Sequence, residues 1–81
     1  MKIAFSPGAW RDWDKLPETV QERLRSKLQR YARDPLRFAV KLHDPAIGQY
    51  RFRIGDYRVV FDLAGGELQV LAVGHRREIY R

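Results

Sequence analysis

The chain has no cysteine and only two histidines, His43 and His75, among its 81 residues. Without cysteine there can be no disulfide, thiolate zinc site or cysteine nucleophile. The two histidines lie far apart in the sequence, so we predict no metal site and no cofactor. No apolar run reaches the roughly 20 residues that a membrane-spanning helix needs, and the N-terminus lacks the apolar core of a signal peptide. We therefore expect one cytoplasmic domain over residues 1–81, with no membrane contact.

Acidic residues are also scarce, because ten Asp and Glu stand against sixteen Lys and Arg, which gives a formal charge of +6. Most of the cations are arginines, whose guanidinium groups bind phosphate in a bidentate fork and stay charged at neutral pH. A field of this sign attracts polyanions: nucleic acid, an acidic membrane surface or an acidic protein. Of these, we favour nucleic acid.

The first half of the chain predicts one strand and two helices. Residues 1–5 alternate weakly between apolar and polar and indicate a short strand. A serine–proline pair, typical of a helix start, opens a helix that extends to about residue 16. A second amphipathic stripe covers residues 18–33 and ends before Pro35, because the residue before proline avoids the helical region. Residues 36–46 are predicted to form a loop.

The second half predicts three strands joined by glycine turns. The strands cover residues 50–54, 57–63 and 67–73, and the first turn, Gly55-Asp56, has the glycine-first pattern of a two-residue hairpin. A Gly65-Gly66 turn follows the second strand. The predicted fold class is α+β with the order β-α-α-β-β-β, in which two N-terminal helices pack on one face of a mainly antiparallel sheet.

The two-residue turn sets the register of the hairpin, which in turn predicts where the arginines lie. Arg53 faces Arg58, and Arg51 faces Val60. The core face carries the alternate apolar residues of all three strands: Tyr50, Phe52, Ile54, Tyr57, Val59, Phe61, Leu68, Val70 and Ala72. The opposite face carries the three arginines, and Arg58 is expected opposite Val73.

Arg76 follows the third strand at the same end of the sheet, so four arginines are expected to converge there. Like charges opposite each other cost a strand pair about 0.2–1 kcal/mol, so selection for folding alone would not place them there. We interpret the cluster as a phosphate site. The alternative is a solvated arginine face with no ligand.

Two residues of the C-terminal tail, His75 and Tyr80, are candidates to join this cluster. Proton-transfer groups beside fixed positive charge are what phosphodiester cleavage requires. The alternatives are a surface histidine and a tyrosine that fills the core. Asp12 and Asp14 do not face each other, because residues two apart lie on different sides of a helix.

Two segments of the chain resemble the RelE toxins of the RelE/ParE superfamily. They are the hairpin motif RIGDYRVVF within residues 50–61 and the tail motif VGHRREIYR at residues 73–81. Residues 9–17 also resemble the first helix of that family and its junction with the second. The resemblance covers nearly the whole chain in the same element order.

The resemblance implies the toxin of a type II toxin–antitoxin pair that cuts messenger RNA in the ribosomal A site without a metal. In that reaction the 2′-hydroxyl of the RNA attacks the adjacent phosphate. By resemblance, Arg51 and Arg53 contact RNA, and Arg58 holds the scissile phosphate. Arg76 lies near the leaving oxygen, and Tyr80 stacks on a base or aids proton transfer.

His75 occupies a position that is basic in some relatives and is counted among the catalytic candidates. Arg77 and Arg81 are expected to bind RNA phosphates. The implied partners are a cognate antitoxin, with which the toxin forms a hetero-oligomer, and the ribosome with its messenger RNA. One departure concerns the strand arginines, because some relatives have lysines there, and lysine is more easily deprotonated for proton transfer.

Two other functions fit the same sequence. A ParE-like toxin inhibits DNA gyrase by binding it and is not a nuclease, and a shared fold does not distinguish the two activities. A nucleic-acid-binding module without catalysis is the third reading. The convergent arginines with Tyr80 favour RNA cleavage.

Overall fold

The computed structural model of the protein describes residues 1–79, so the predicted site residues Tyr80 and Arg81 lie outside the described residues. The elements in chain order are β1 (Lys2–Phe5), α1 (Pro7–Asp14), α2 (Glu18–Tyr31), α3 (Pro35–Phe38), β2 (Ala39–Lys41), β3 (Tyr50–Ile54), β4 (Tyr57–Ala64) and β5 (Glu67–His75).

The described strands form a five-stranded sheet in the order β1-β5-β4-β3-β2. All neighbouring pairs are antiparallel except β1 and β5, which are parallel. The helices α1 and α2 supply Ala9, Trp13, Leu24 and Leu28 to a core that they share with one face of the sheet. This side of the sheet is called the helix face below. The predicted α+β class, with two helices on one face of a mainly antiparallel sheet, is confirmed.

The prediction of a loop over residues 36–46 was wrong in its first part. Pro35 starts the single turn α3, because a proline is tolerated at the first helical position, and Ala39–Lys41 form the edge strand β2. The rings of Tyr31 and Phe38 stack with their centroids 4.3 Å apart, which fixes α3 against the end of α2. Elements of four and three residues are too short to show a period in the sequence.

A β-bulge in β5 changes the predicted pairing of the last strand. Val60 lies opposite Ala72, whereas Phe61 lies opposite Val70, so Leu71 is the extra residue. A bulge of this kind breaks the alternation of side chains along the strand that carries it. Residues beyond the bulge therefore point to the opposite face from the one that simple alternation predicts.

Three expectations about β5 are corrected by this bulge. Val73, at 4% exposure, takes the core position that was predicted for Ala72. Arg58 lies opposite Gly74 rather than Val73. The strand also continues to His75 instead of ending at the glycine.

Beyond the end of β1, the edge of β5 is bonded by Ser6, the N-cap of α1, and by Asp12 within that helix. The Ser6 hydroxyl donates to the Leu71 carbonyl at 3.3 Å, and the Asp12 carboxylate accepts the Val73 N–H at 3.1 Å. A strand N–H left without a partner in a partly buried edge is costly. Asp12 therefore has a structural role in joining α1 to the sheet, which nothing in its sequence spacing indicated.

Candidate functional site

The side of the sheet opposite the helix face carries Arg51, Arg53 and Arg58, and we call it the arginine face. Arg53 pairs with Arg58 and Arg51 pairs with Val60, so the predicted hairpin register is confirmed. The three arginines differ in exposure: Arg53 is exposed, Arg51 is half-buried and Arg58 is only 4% exposed. The alternative interpretation, a solvated arginine face with no ligand, therefore does not hold at Arg58, which is buried.

The buried guanidinium of Arg58 is held by the turn of its own hairpin. Its Nη1 donates to the Gly55 carbonyl at 2.9 Å and to the Tyr57 carbonyl at 2.9 Å. Hydrogen bonds from a charged donor are among the stronger ones in proteins, and they offset part of the cost of burying the charge. Arg58 thus fixes the turn between β3 and β4 and keeps a positive charge beside Arg53.

The far end of the arginine face is covered by the segment 42–49. Gly48 is buried there, and a Cβ at this position would lie 2.6 Å from Val60 Cγ1 and 3.2 Å from Leu71 Cδ1. The Gln49 N–H also donates to the Asp62 carboxylate at 2.8 Å. The apolar half of this face is therefore closed by the loop, and its arginine half is the part that solvent reaches.

Arg76 is brought to the same hairpin turn by two contacts with Asp56. The Arg76 N–H donates to the Asp56 carbonyl at 2.7 Å, and Arg76 Nε lies 3.7 Å from Asp56 Oδ1. The two side chains are 52% and 66% exposed, so the ion pair adds little stability. The expected convergence of Arg76 on the hairpin end is found, and Arg77 beside it is exposed.

His75 does not join the arginine face. It lies opposite Tyr57 on the helix face, with the two ring centroids 5.6 Å apart in an edge-to-face arrangement. There it lines a cleft of about 520 Å³ together with Asp12 of α1, Lys15 at the C-terminal end of that helix, and Glu78. The bulge in β5 is the cause, because it moves the side chain to the other side of the sheet.

Sequence reasoning missed an apolar groove between β1, α1 and α2. Trp10 is 51% exposed and stacks on Phe5 with centroids 4.4 Å apart. The Arg25 guanidinium lies 5.7 Å from the ring centroid of Trp13 in the same groove, where it makes a cation–π contact. The groove lies beside β1, an edge strand of the sheet, and nothing in the sequence pattern indicated it.

Residues 1–79 contain neither a cluster of metal-ligating side chains nor a helix that could cross a membrane. No three His, Cys, Asp or Glu side chains in this part of the chain are grouped so that they could hold a metal ion. No helix in it has the length and apolar character needed to cross a membrane.

Solved structures similar to this chain include toxins and toxin–antitoxin complexes. The chain is similar to a chain of the RelBE2 toxin–antitoxin complex from Mycobacterium tuberculosis, at 27% identity over 93% of this chain and 96% of that chain, with a TM-score of 0.83. It is also similar to a chain of the Escherichia coli RelBE complex, at 26% identity over 91% and 94% of the two chains, with a TM-score of 0.73. A YoeB/ParE toxin from Agrobacterium tumefaciens shares the fold, at 18% identity over 93% and 98% of the chains, with a TM-score of 0.72.

Two sequence comparisons complement the structural one. No curated protein sequence matches the chain at a significant level, whereas a family model does. The family model described as the ParE toxin of the type II toxin–antitoxin system parDE matches residues 3–80. The resemblance to the RelE/ParE superfamily is thereby confirmed. The chain belongs to the ParE toxin family, and it is a type II toxin of the RelE/ParE superfamily with a RelE-like fold.

Proposed function

We propose that this toxin is a ribosome-dependent endoribonuclease that cleaves messenger RNA in the ribosomal A site and so inhibits translation. The observation that carries the proposal is the meeting of Arg53, Arg58 and Arg76 at one hairpin turn, beside Arg51 on the same strand. Like charges placed this close cost the fold stability, and a bound phosphate chain would offset that cost.

In the proposed reaction the nucleophile is a hydroxyl group of the RNA itself. The 2′-oxygen attacks the adjacent phosphorus and the bond from phosphorus to the 5′-oxygen breaks, which leaves a 2′,3′-cyclic phosphate and a 5′-hydroxyl. A general base accepts the proton of the 2′-hydroxyl, and the leaving 5′-oxygen takes up a proton from a general acid. Fixed positive charge near the phosphate stabilises the negative charge that accumulates in the transition state, and the ribosome holds the RNA in line.

The proposed roles follow from exposure. Arg51 and Arg53 bind RNA phosphates directly, because their side chains reach solvent. Arg58 supplies positive charge beneath them, and a direct contact with the scissile phosphate would require RNA binding to uncover its guanidinium. Arg76, whose side chain is 52% exposed, approaches the leaving oxygen. Tyr80 stays a proposal for base stacking or proton transfer.

The proposed tail contacts with RNA are Arg77, which is exposed, and Arg81.

The proposed protein partner is a cognate antitoxin that holds the toxin inactive in a hetero-oligomer. The solved M. tuberculosis and E. coli relatives are toxin–antitoxin complexes. With a formal charge of +6, the toxin would attract an acidic antitoxin segment. The groove at Trp10, with Arg25 at its rim, offers apolar surface beside positive charge for such a segment.

The test is cleavage of a defined messenger RNA with and without programmed ribosomes. We expect a cut in the A-site codon only when ribosomes are present. Arg53→Gln should lower the rate by about tenfold or more, which corresponds to the loss of one charge-assisted phosphate contact. Arg33→Gln, which removes an exposed arginine at the end of α2, is the matched control and should cut at the parental rate.

A second candidate function is inhibition of DNA gyrase, and the observation that favours it is the ParE description of the family model. A supercoiling assay with purified gyrase, run beside the ribosome assay, separates the two. Inhibited supercoiling with uncut messenger RNA would favour the gyrase inhibitor and overturn the ribonuclease proposal.

A further inference from the structure

Residues 76–79, which follow β5, have four consecutive backbone amides, and three of these donate to His75. The Arg77 N–H donates to His75 Nδ1 at 3.2 Å. The N–H groups of Glu78 and Ile79 donate to the His75 carbonyl at 2.9 and 3.1 Å. The remaining amide, that of Arg76, donates to the Asp56 carbonyl at 2.7 Å. Every amide of the turn is therefore paired, and one residue accepts most of them.

This pattern is that of a capping residue. In a capped turn, a side-chain acceptor takes the N–H two residues ahead, and the carbonyl takes those three and four ahead. Asn, Asp, Ser and Thr usually fill the position because each carries a side-chain oxygen near the backbone. A histidine can replace them only when Nδ1 carries no proton, and the neutral ring then carries its proton on Nε2.

The imidazole ring of His75 is surrounded by groups from three parts of the chain. Tyr57 of β4 makes the edge-to-face contact. The same cleft is lined by Asp12 of α1, by Lys15 directly after that helix, and by Glu78 of the turn itself. The ring lies on the helix face, on the opposite side of the sheet from Arg51, Arg53 and Arg58. A proton on His75 is thus separated from the proposed phosphate site by the sheet itself.

We infer that His75 is a positioning residue: its neutral, Nε2-protonated imidazole caps the turn 76–79 and so holds Arg76 at the hairpin end. The strand ladder does not fix this turn, because the ladder ends at His75. Within residues 1–79, Arg76 is held to the hairpin by its contacts with Asp56. The activity arm of the test rests on the proposed ribonuclease function, whereas the spectroscopic arm does not.

The activity arm compares two variants of His75 with a control at the other histidine. His75→Asn places an amide oxygen near the position of Nδ1, whereas His75→Phe keeps an aromatic ring against Tyr57 without an acceptor. We expect the Asn variant to cleave within about threefold of the parent, and the Phe variant to lose about fivefold or more in kcat with KM for ribosomes little changed. His43→Asn, at an exposed loop histidine, should match the parent.

A proton-transfer role for His75 predicts a different pattern. Both the Asn and the Phe variants would then lose about two orders of magnitude or more, because neither side chain exchanges a proton. That outcome overturns the inference, as does a Phe variant that is folded by circular dichroism and cuts at the parental rate.

The spectroscopic arm uses the isolated toxin. Long-range ¹H–¹⁵N correlation of the neutral His75 ring should show the proton on Nε2, and the Arg77 amide should exchange slowly with solvent. Exchange should stay slow in His75→Asn and become fast in His75→Phe. A neutral ring with its proton on Nδ1, or an unprotected Arg77 amide in the parent, overturns the inference. An uncut messenger RNA with these signals intact overturns the ribonuclease proposal alone.

Discussion

Truncation of Arg58 should destabilise the protein far more than truncation of its neighbour across the ladder. Arg58→Ala removes the donor that serves the Gly55 and Tyr57 carbonyls, both at 2.9 Å. Hydrogen bonds to charged groups contribute about 1.5–3 kcal/mol each, and orphaned buried acceptors cost a similar amount. Allowing for partial access of water to the turn, we expect a loss of about 2–4 kcal/mol in the free energy of unfolding.

That loss is large for a domain of 81 residues, whose total stability is about 4–12 kcal/mol by the usual range per residue. Each kcal/mol shifts the midpoint of thermal unfolding by about 4–8 °C in a domain of this size. Arg58→Ala should therefore lower Tm by about 10–30 °C. At the low end of that range only about 0–2 kcal/mol would remain, so the toxicity of Arg58→Ala has to be compared with its unfolding curve.

Arg53→Ala is the matched control, because Arg53 lies directly opposite Arg58 and is exposed. Its removal should change stability by less than about 0.5 kcal/mol, with a small gain from relieved repulsion. Urea unfolding followed by tryptophan fluorescence measures both variants. Equal urea midpoints for the two would refute the conclusion that the turn depends on Arg58.

Three further predictions concern the sheet and the partner. Asp12→Ala should lower the free energy of unfolding by about 1–3 kcal/mol because the Val73 N–H loses its acceptor, whereas Asp14→Ala on the exposed side of α1 should leave the urea midpoint unchanged. Gly48→Ala should cost about 1–3 kcal/mol because its new Cβ would lie 2.6 Å from a strand side chain, and Gly8→Ala, with only ordinary contacts, should be tolerated in the same titration. The association rate of toxin and antitoxin in stopped-flow measurements should fall from low to high salt, and a rate indifferent to salt would show that charge does not steer the encounter.

The β3–β4 hairpin was the most predictable part of the molecule. A two-residue turn at Gly55-Asp56 leaves one register, and every pair from Ile54 with Tyr57 to Tyr50 with Phe61 follows from it. The start of α1 was equally predictable, since the Ser6 side chain accepts the Ala9 N–H at 3.1 Å. In both cases local backbone chemistry decides the outcome.

The third strand was less predictable because its sequence satisfies two patterns. Residues 70–73 are all apolar, so alternation alone cannot say which of Ala72 and Val73 enters the core. The bulge at Leu71 decides this, and it forms where α1 replaces β1 along the edge of β5. The position of His75 depends on that tertiary event.

The burial of Arg58 could also not be predicted from the sequence. Arginine is rarely buried without partners, and the partners here include backbone carbonyl groups of the hairpin turn, which are present whatever the sequence. The meeting of Arg53 with Arg58 and the approach of Arg76 were predicted, because they follow from the register and from the chain order.

The most direct test of the proposed reaction is cleavage of a messenger RNA that carries a single 2′-deoxynucleotide at the scissile position of the A-site codon. On programmed ribosomes, we predict that the all-ribose message is cut to a 2′,3′-cyclic phosphate and a 5′-hydroxyl, and that the 2′-deoxy message stays intact at that position. Equal cutting of both messages would show that the nucleophile is not the 2′-hydroxyl of the RNA. Failure to cut either message would contradict the ribonuclease proposal itself.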